Sequence, residues 1–161
     1  MSLEKIRTWM TTQGRTDVAA GRSERELAVL GKVCRIAMDL DGVVPHQGAR
    51  AAKGGEQHDL DFGRKVPQRK TPVIFAGVCM KPAEGPWMRR NDFAEPESVR
   101  VYLRLSGPGV RRSAWAERIK DDDGLKPEEG WRYVEIPPSL DLSGEELLNL
   151  IEDAYFEAGG I

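Results

Sequence analysis

Twice in this chain a serine stands three residues ahead of a glutamate and opens a stripe of apolar residues. This repeated helix-start signal constrains the fold more than any other feature. Ser23 and Glu26 form the first pair, and Ser143 and Glu146 the second. In such a capping box the serine hydroxyl accepts from a free first-turn amide, and the glutamate carboxylate reaches back to the amide of the serine. Leu27, Leu30, Val33, Cys34, Ala37 and Leu40 follow the first box on one face, until Asp41-Gly42 ends the run. Leu147, Leu150, Ile151, Ala154, Tyr155 and Ala158 follow the second, before Gly159. The spacing predicts amphipathic helices over 23–39 and 143–158. Leu3, Ile6, Trp9 and Met10 predict a further helix over 3–13, with Gly14 as its stop.

Three segments read as strands. Residues 72–80 contain VIFAGVCM, an almost wholly apolar run that suits a central strand covered on both faces. Over 99–105, Val99, Val101, Leu103 and Leu105 alternate with Arg100, Tyr102 and Arg104, the period of a half-buried strand. Its polar face would carry two arginines and a tyrosine. Residues 131–136, WRYVEI, form the third strand and are closed by Pro137-Pro138. Ser106-Gly-Pro-Gly109 reads as a break, Trp115 and Ile119 as a short helix, and Asp121 to Gly124 as a solvated turn. Helices and strands do not alternate, so the expected class is α+β: a small, mainly antiparallel sheet packed by helices. At 161 residues a single domain is expected over the whole chain. Residues 45–71 show neither helical nor strand period and are expected to form a long flexible loop, which in a compact domain is either functional or disordered.

Charge is segregated along the chain although the net is only −2. Val44 to Arg112 holds 13 Lys and Arg against 7 Asp and Glu, whereas Lys120 to Ile161 holds 3 against 12. Such asymmetry marks a partner surface, or else two halves that neutralise each other. No apolar run reaches the roughly 20 residues of a membrane span. The N-terminus lacks the apolar core of a secretory signal, and Cys34 and Cys79 lie in apolar stretches as reduced thiols. A cytoplasmic location without membrane contact is the expectation.

Candidate binding residues come from the basic middle. Arg64, Lys65, Arg69 and Lys70 fall in one short segment, and Trp87, Arg89 and Arg90 interleave an aromatic ring with charge. Arginine grips phosphate and tryptophan stacks a base, so these residues, with Arg100 and Arg104, suit an anionic partner. The opposing reading is a solvated basic loop and a tryptophan capping the core edge. His46, His58, Asp59 and Asp61 could ligate zinc or manganese, but a glycine-rich loop does not preorganise ligands, and solvated loop residues are the better reading. The spacing calls for no cofactor.

Residues 36–44, IAMDLDGVV, resemble the nucleophile motif of the haloacid-dehalogenase-like phosphatases. The resemblance implies a strand ending at Asp39, which would attack phosphorus, with Asp41 protonating the leaving oxygen and magnesium bridging both carboxylates. The preceding residues also fit the capped helix described above. From Val99 to Ala158, the succession VYLRL, a basic segment, GWRYVEI and SGEELLNLIEDAYFEA resembles the MmcQ/YjbR-like small α+β domains. That likeness implies an α+β fold that binds DNA or protein, with no catalytic residue to transfer. The favoured expectation is a non-enzymatic binding or adaptor domain for nucleic acid or an acidic protein, using the basic loop and the arginine-bearing strand. Two alternatives stand beside it. One is the magnesium-dependent phosphatase. The other is an inhibitor or immunity-type protein acting through its acidic C-terminal third.

Overall fold

A computed structural model of the chain describes residues 8, 23–47, 60–80, 97–121, 130–137, 140 and 143–159, with backbone alone at 46, 47, 79 and 80. Both serine–glutamate pairs form the boxes that the sequence predicts. The Ser23 amide donates to Glu26 Oε1 and the Glu26 amide to Ser23 Oγ, each at 3.1 Å. At the second box the Ser143 amide donates to Glu146 at 2.9 Å and the Glu146 amide to Ser143 Oγ at 3.2 Å. Helix α1 spans Glu24–Asp39 and helix α3 spans Gly144–Gly159, each burying its apolar stripe. Leu40 turns extended and Gly42 adopts φ +70°, a left-handed conformation that glycine tolerates, so α1 stops where Asp41-Gly42 stands.

Among the described residues, six strands make one sheet: β1 (Val43–Gln47), β2 (Leu60–Arg64), β3 (Val73–Met80), β4 (Val99–Arg104), β5 (Lys120–Asp121) and β6 (Trp131–Ile136). Their order is β1-β2-β3-β4-β6-β5, with every neighbouring pair antiparallel. The α+β class with a small antiparallel sheet is what the sequence predicts. Helices α1 and α3 pack on each other and on one face of the sheet. There Leu27, Leu30 and Val33 of α1 meet Leu147, Leu150 and Ile151 of α3, above Phe62, Val78, Val101 and Val134.

Two expectations about the middle of the chain are corrected. Residues 43–47 and 60–64 belong to strands β1 and β2, so the flexible loop expected over 45–71 is not continuous; the intervening residues 48–59 lie outside the described ones. Each strand is only five residues long, and Pro45 and Gly63 erase the alternation that would betray it. β2 is held by pairing with β3, and β1 by pairing with β2; strand preference depends on such context. The segment 65–72 is instead the connection of the β2–β3 hairpin, anchored by buried Val66. The second correction concerns Ser106 to Gly109, which starts a short helix rather than breaking the chain. Ser106 Oγ accepts from the Gly109 amide at 3.0 Å and caps α2 (Gly107–Arg112), while Pro108 sits in the first turn, where its missing N–H costs nothing. Asp121, expected to open a solvated turn, instead pairs with β6 together with Lys120 as the two-residue strand β5. The helix expected over 3–13 lies, except for Thr8, outside the described residues.

The β2–β3 pairing contains a bulge. Phe62 faces Ala76 and Gly63 faces Ile74, so Phe75 is left without an opposite residue. Phe75 turns into the core, and its ring meets Tyr155 of α3 edge-on at 5.7 Å. Glycine is required at 63, because a Cβ there would come within 2.7 Å of the Pro72 ring.

Candidate anion-binding site

Strand parity sorts the candidate residues before any partner is considered. On β2, Leu60, Phe62 and Arg64 share the helix-covered face, which brings Arg64 over the end of α3. Its Nη1 donates to the Tyr155 carbonyl at 2.8 Å, and its guanidinium lies 3.9 Å from the centre of the Tyr155 ring. A cation near a helix C-terminus is favoured by the partial negative charge of that end. Arg64 is therefore occupied inside the fold and does not join its sequence neighbours. Lys65, Arg69 and Lys70 stay exposed on the hairpin connection, where the Arg69 amide closes a turn onto the Val66 carbonyl at 3.3 Å.

On β4 the two faces divide as predicted, but the strand is not half-buried, since Arg100 and Tyr102 are buried as well. Val99, Val101 and Leu103 enter the core, and Arg100, Tyr102 and Arg104 take the opposite face. There β6 answers residue by residue, with Glu135 across from Arg100, Tyr133 from Tyr102, and Trp131 from Arg104. Arg100 is only 2 % exposed; its Nε bonds Glu135 Oε1 at 3.0 Å and its guanidinium lies 4.4 Å from the Tyr133 ring centre. A buried charge must be paired, and this one is paired within the chain rather than offered outward. Arg104 is half-buried, 5.6 Å from the ring centre of Trp131. The sequence reading does not single out Trp131 or Tyr133. The placing of Trp131 across from Arg104 and of Tyr133 across from Tyr102 follows from register, which spacing along the chain does not reveal.

The topology gathers charge at one end of the sheet. The 65–72 connection leaves β2 and enters β3 at that end, and α2 follows β4 there, because β3 and β4 are antiparallel neighbours. Lys65, Arg69 and Lys70 therefore come to the same end as Arg111 and Arg112, which are exposed on α2. Exposed Asp39 and Asp41 lie near, since the Lys65 amide bonds the Gly42 carbonyl at 2.9 Å. Glu157 of α3 also reaches in, but its carboxylate already accepts from the Ser106 amide at 3.1 Å. Exposed cations outnumber exposed acids among the residues named.

The other candidates fare variously. Asp39 is the last residue of α1 and Asp41 stands in the turn after it, so a helix occupies the place of the strand that the phosphatase motif implies. His46 and Asp61 are opposite one another in the β1–β2 register, and Asp61 is buried at 3 % exposure rather than solvated in a loop. His58, Asp59, Trp87, Arg89 and Arg90 lie outside the described residues. Among the described residues, no group of three or more His, Cys, Asp or Glu is placed to hold a metal ion. No described helix is long and apolar enough to cross a membrane. Burial pushes the Cys34 thiol up to about 12 from 9.0, leaving it a small hydrophobe rather than a nucleophile. Comparison of the chain with protein-family models, with curated proteins and with solved structures finds no match.

Proposed function

We propose that this chain is a non-enzymatic binding or adaptor domain that engages an anionic macromolecule, nucleic acid or an acidic protein, at the basic end of its sheet. One observation carries the reading: the hairpin connection and α2, far apart in sequence, bring Lys65, Arg69, Lys70, Arg111 and Arg112 to the same end as exposed residues. Arg64 and Arg100 are removed from the surface set, because each is held by partners within the fold. Arg104 stays at its margin. Binding of this kind weakens steeply with salt, since each neutralised phosphate releases counterions. The test is an electrophoretic mobility shift with labelled duplex and single strand at two salt concentrations. Substituting Lys65, Arg69 and Lys70 with alanine is expected to weaken binding and to flatten the salt slope by roughly one unit for each phosphate no longer neutralised. Binding to neither nucleic acid nor poly-glutamate, or binding indifferent to those changes, rejects the reading.

A second reading has its own observation. Phe156 is 62 % exposed, the one large exposed hydrophobic side chain among the described residues, and it sits on α3 beside Glu152 and Asp153. An aromatic anchor with an acidic rim suits an interaction protein working through its C-terminal third. Phe156→Ala separates the two readings: it leaves polyanion binding intact and abolishes capture of a protein partner through α3.

A further inference from the structure

We infer that Trp131, with Arg104 beside it, is a base-stacking platform, so that the anionic partner is single-stranded nucleic acid rather than a duplex or an acidic protein. This rests on the reading of the basic end as the binding surface and names what that surface recognises. Trp131 opens β6 directly across from Arg104, the last residue of β4, and thus lies at the end of the sheet where the exposed cations gather. Its position is fixed from several sides. The Leu105 amide donates to the Gly130 carbonyl at 3.0 Å, Gly130 takes φ +70° to deliver the chain into β6, and the Arg132 guanidinium donates to the Leu105 carbonyl. Arg132 Nε is held in turn by Asp121 at 3.1 Å.

The ring packs on fully buried Tyr102 and is only half-buried itself, so part of it stays accessible on a rigid floor. A carboxylate-bearing surface gains nothing particular from an indole. A base does, because its π-face stacks on the ring while phosphates on either side meet lysine and arginine. In a duplex both faces of each base are already stacked on neighbours, which leaves the indole without a role. The Arg104 guanidinium, 5.6 Å from the indole centre, adds a planar cation that also stacks on bases, a property lysine lacks.

The test measures fluorescence anisotropy of the full chain with a labelled oligo-dT, with a duplex of equal charge and with poly-glutamate. Tighter binding of oligo-dT than of either competitor is expected. Trp131→Leu is expected to weaken oligo-dT binding roughly 10- to 100-fold and to leave the duplex unchanged, with Trp131→Phe losing less. Arg104→Lys keeps the charge and the fold. It is expected to lower oligo-dT affinity several-fold while the salt slope holds, which supplies a second check should the tryptophan variant fail to fold. Equal affinity for duplex and single strand, preference for poly-glutamate, or indifference to both Trp131→Leu and Arg104→Lys overturns the inference. If duplex binding still responds to substitution of Lys65, Arg69 and Lys70, the broader reading survives that result. If no polyanion binds at all, both fall together.

Discussion

Arg64 and Tyr155, 91 positions apart, are joined twice over: the arginine donates to the tyrosine carbonyl at 2.8 Å and lies against its ring at 3.9 Å. The Tyr155 hydroxyl extends the connection by donating to the Asp41 carbonyl at 2.7 Å. One side chain thus ties β2, the C-terminal turn of α3 and the turn after α1 into one unit.

The first prediction follows from that tie. Arg64→Ala removes a charge-assisted hydrogen bond and a cation–π interaction, and is expected to destabilise the fold by about 2 kcal/mol. Arg64→Lys recovers only part, because lysine keeps the charge without the planar fork. Alanine at Lys65, Arg69 and Lys70 together changes stability within about 0.5 kcal/mol per site, as exposed loop charges do. Urea denaturation of the variants checks this. Equal behaviour of Arg64 and its basic neighbours would show that the tie contributes nothing.

The Arg100–Glu135 pair supplies the second prediction. Glu135→Gln leaves the Arg100 cation at 2 % exposure facing a neutral amide. Breaking a buried pair from one side costs about 3 kcal/mol; since Glu135 is itself 15 % exposed, the loss should fall at or below that figure. Thermal and chemical denaturation both measure it. A change under about 0.5 kcal/mol, the range of ordinary surface substitutions, would mean that water already screens the pair.

Gly63→Ala gives the third. The new Cβ meets the Pro72 ring at 2.7 Å and Ile74 Cδ1 at 3.1 Å. Proline cannot swing aside, so the strand must shift, at a cost of about 1–3 kcal/mol, typical of overpacking. Loss of stability accompanied by faster amide exchange in β2 and the start of β3 is expected, with the centre of β6 unaffected.

The fourth concerns pH. The Cys34 thiol rises from 9.0 to about 12 because burial disfavours the thiolate. The folded chain keeps that proton while the unfolded chain releases it, so this contribution to stability is complete below pH 9 and declines through the window up to about 12. Relative to Cys34→Ala, the native chain is expected to lose stability across that window by up to about 1.4 kcal/mol per pH unit. Parallel pH profiles for the two proteins would place Cys34 in contact with water.

Much of the fold is legible in the residues alone. Both long helices announce themselves by local chemistry, since a serine, a glutamate three residues on and an apolar stripe at helical spacing need no distant partner to be read. Strands β3, β4 and β6 show through composition or alternation over six residues or more. Strands β1 and β2 do not, because five residues with Pro45 in one and Gly63 in the other carry too little period to read.

The same division runs through the candidate site. Sequence by itself determined the charge segregation and the parity of β4, which put Arg100, Tyr102 and Arg104 on one face. Only tertiary structure decided which cations remain available. Arg64 and Lys65 are neighbours in one basic run, yet strand parity sends the first to the end of α3 and leaves the second in solvent. Register across β4 and β6 then couples Arg100 to Glu135 and Arg104 to Trp131. Local pattern sets which way a side chain points, because that depends on backbone period alone. What it finds there depends on which distant strand or helix end is brought opposite, and that is a property of the assembled sheet.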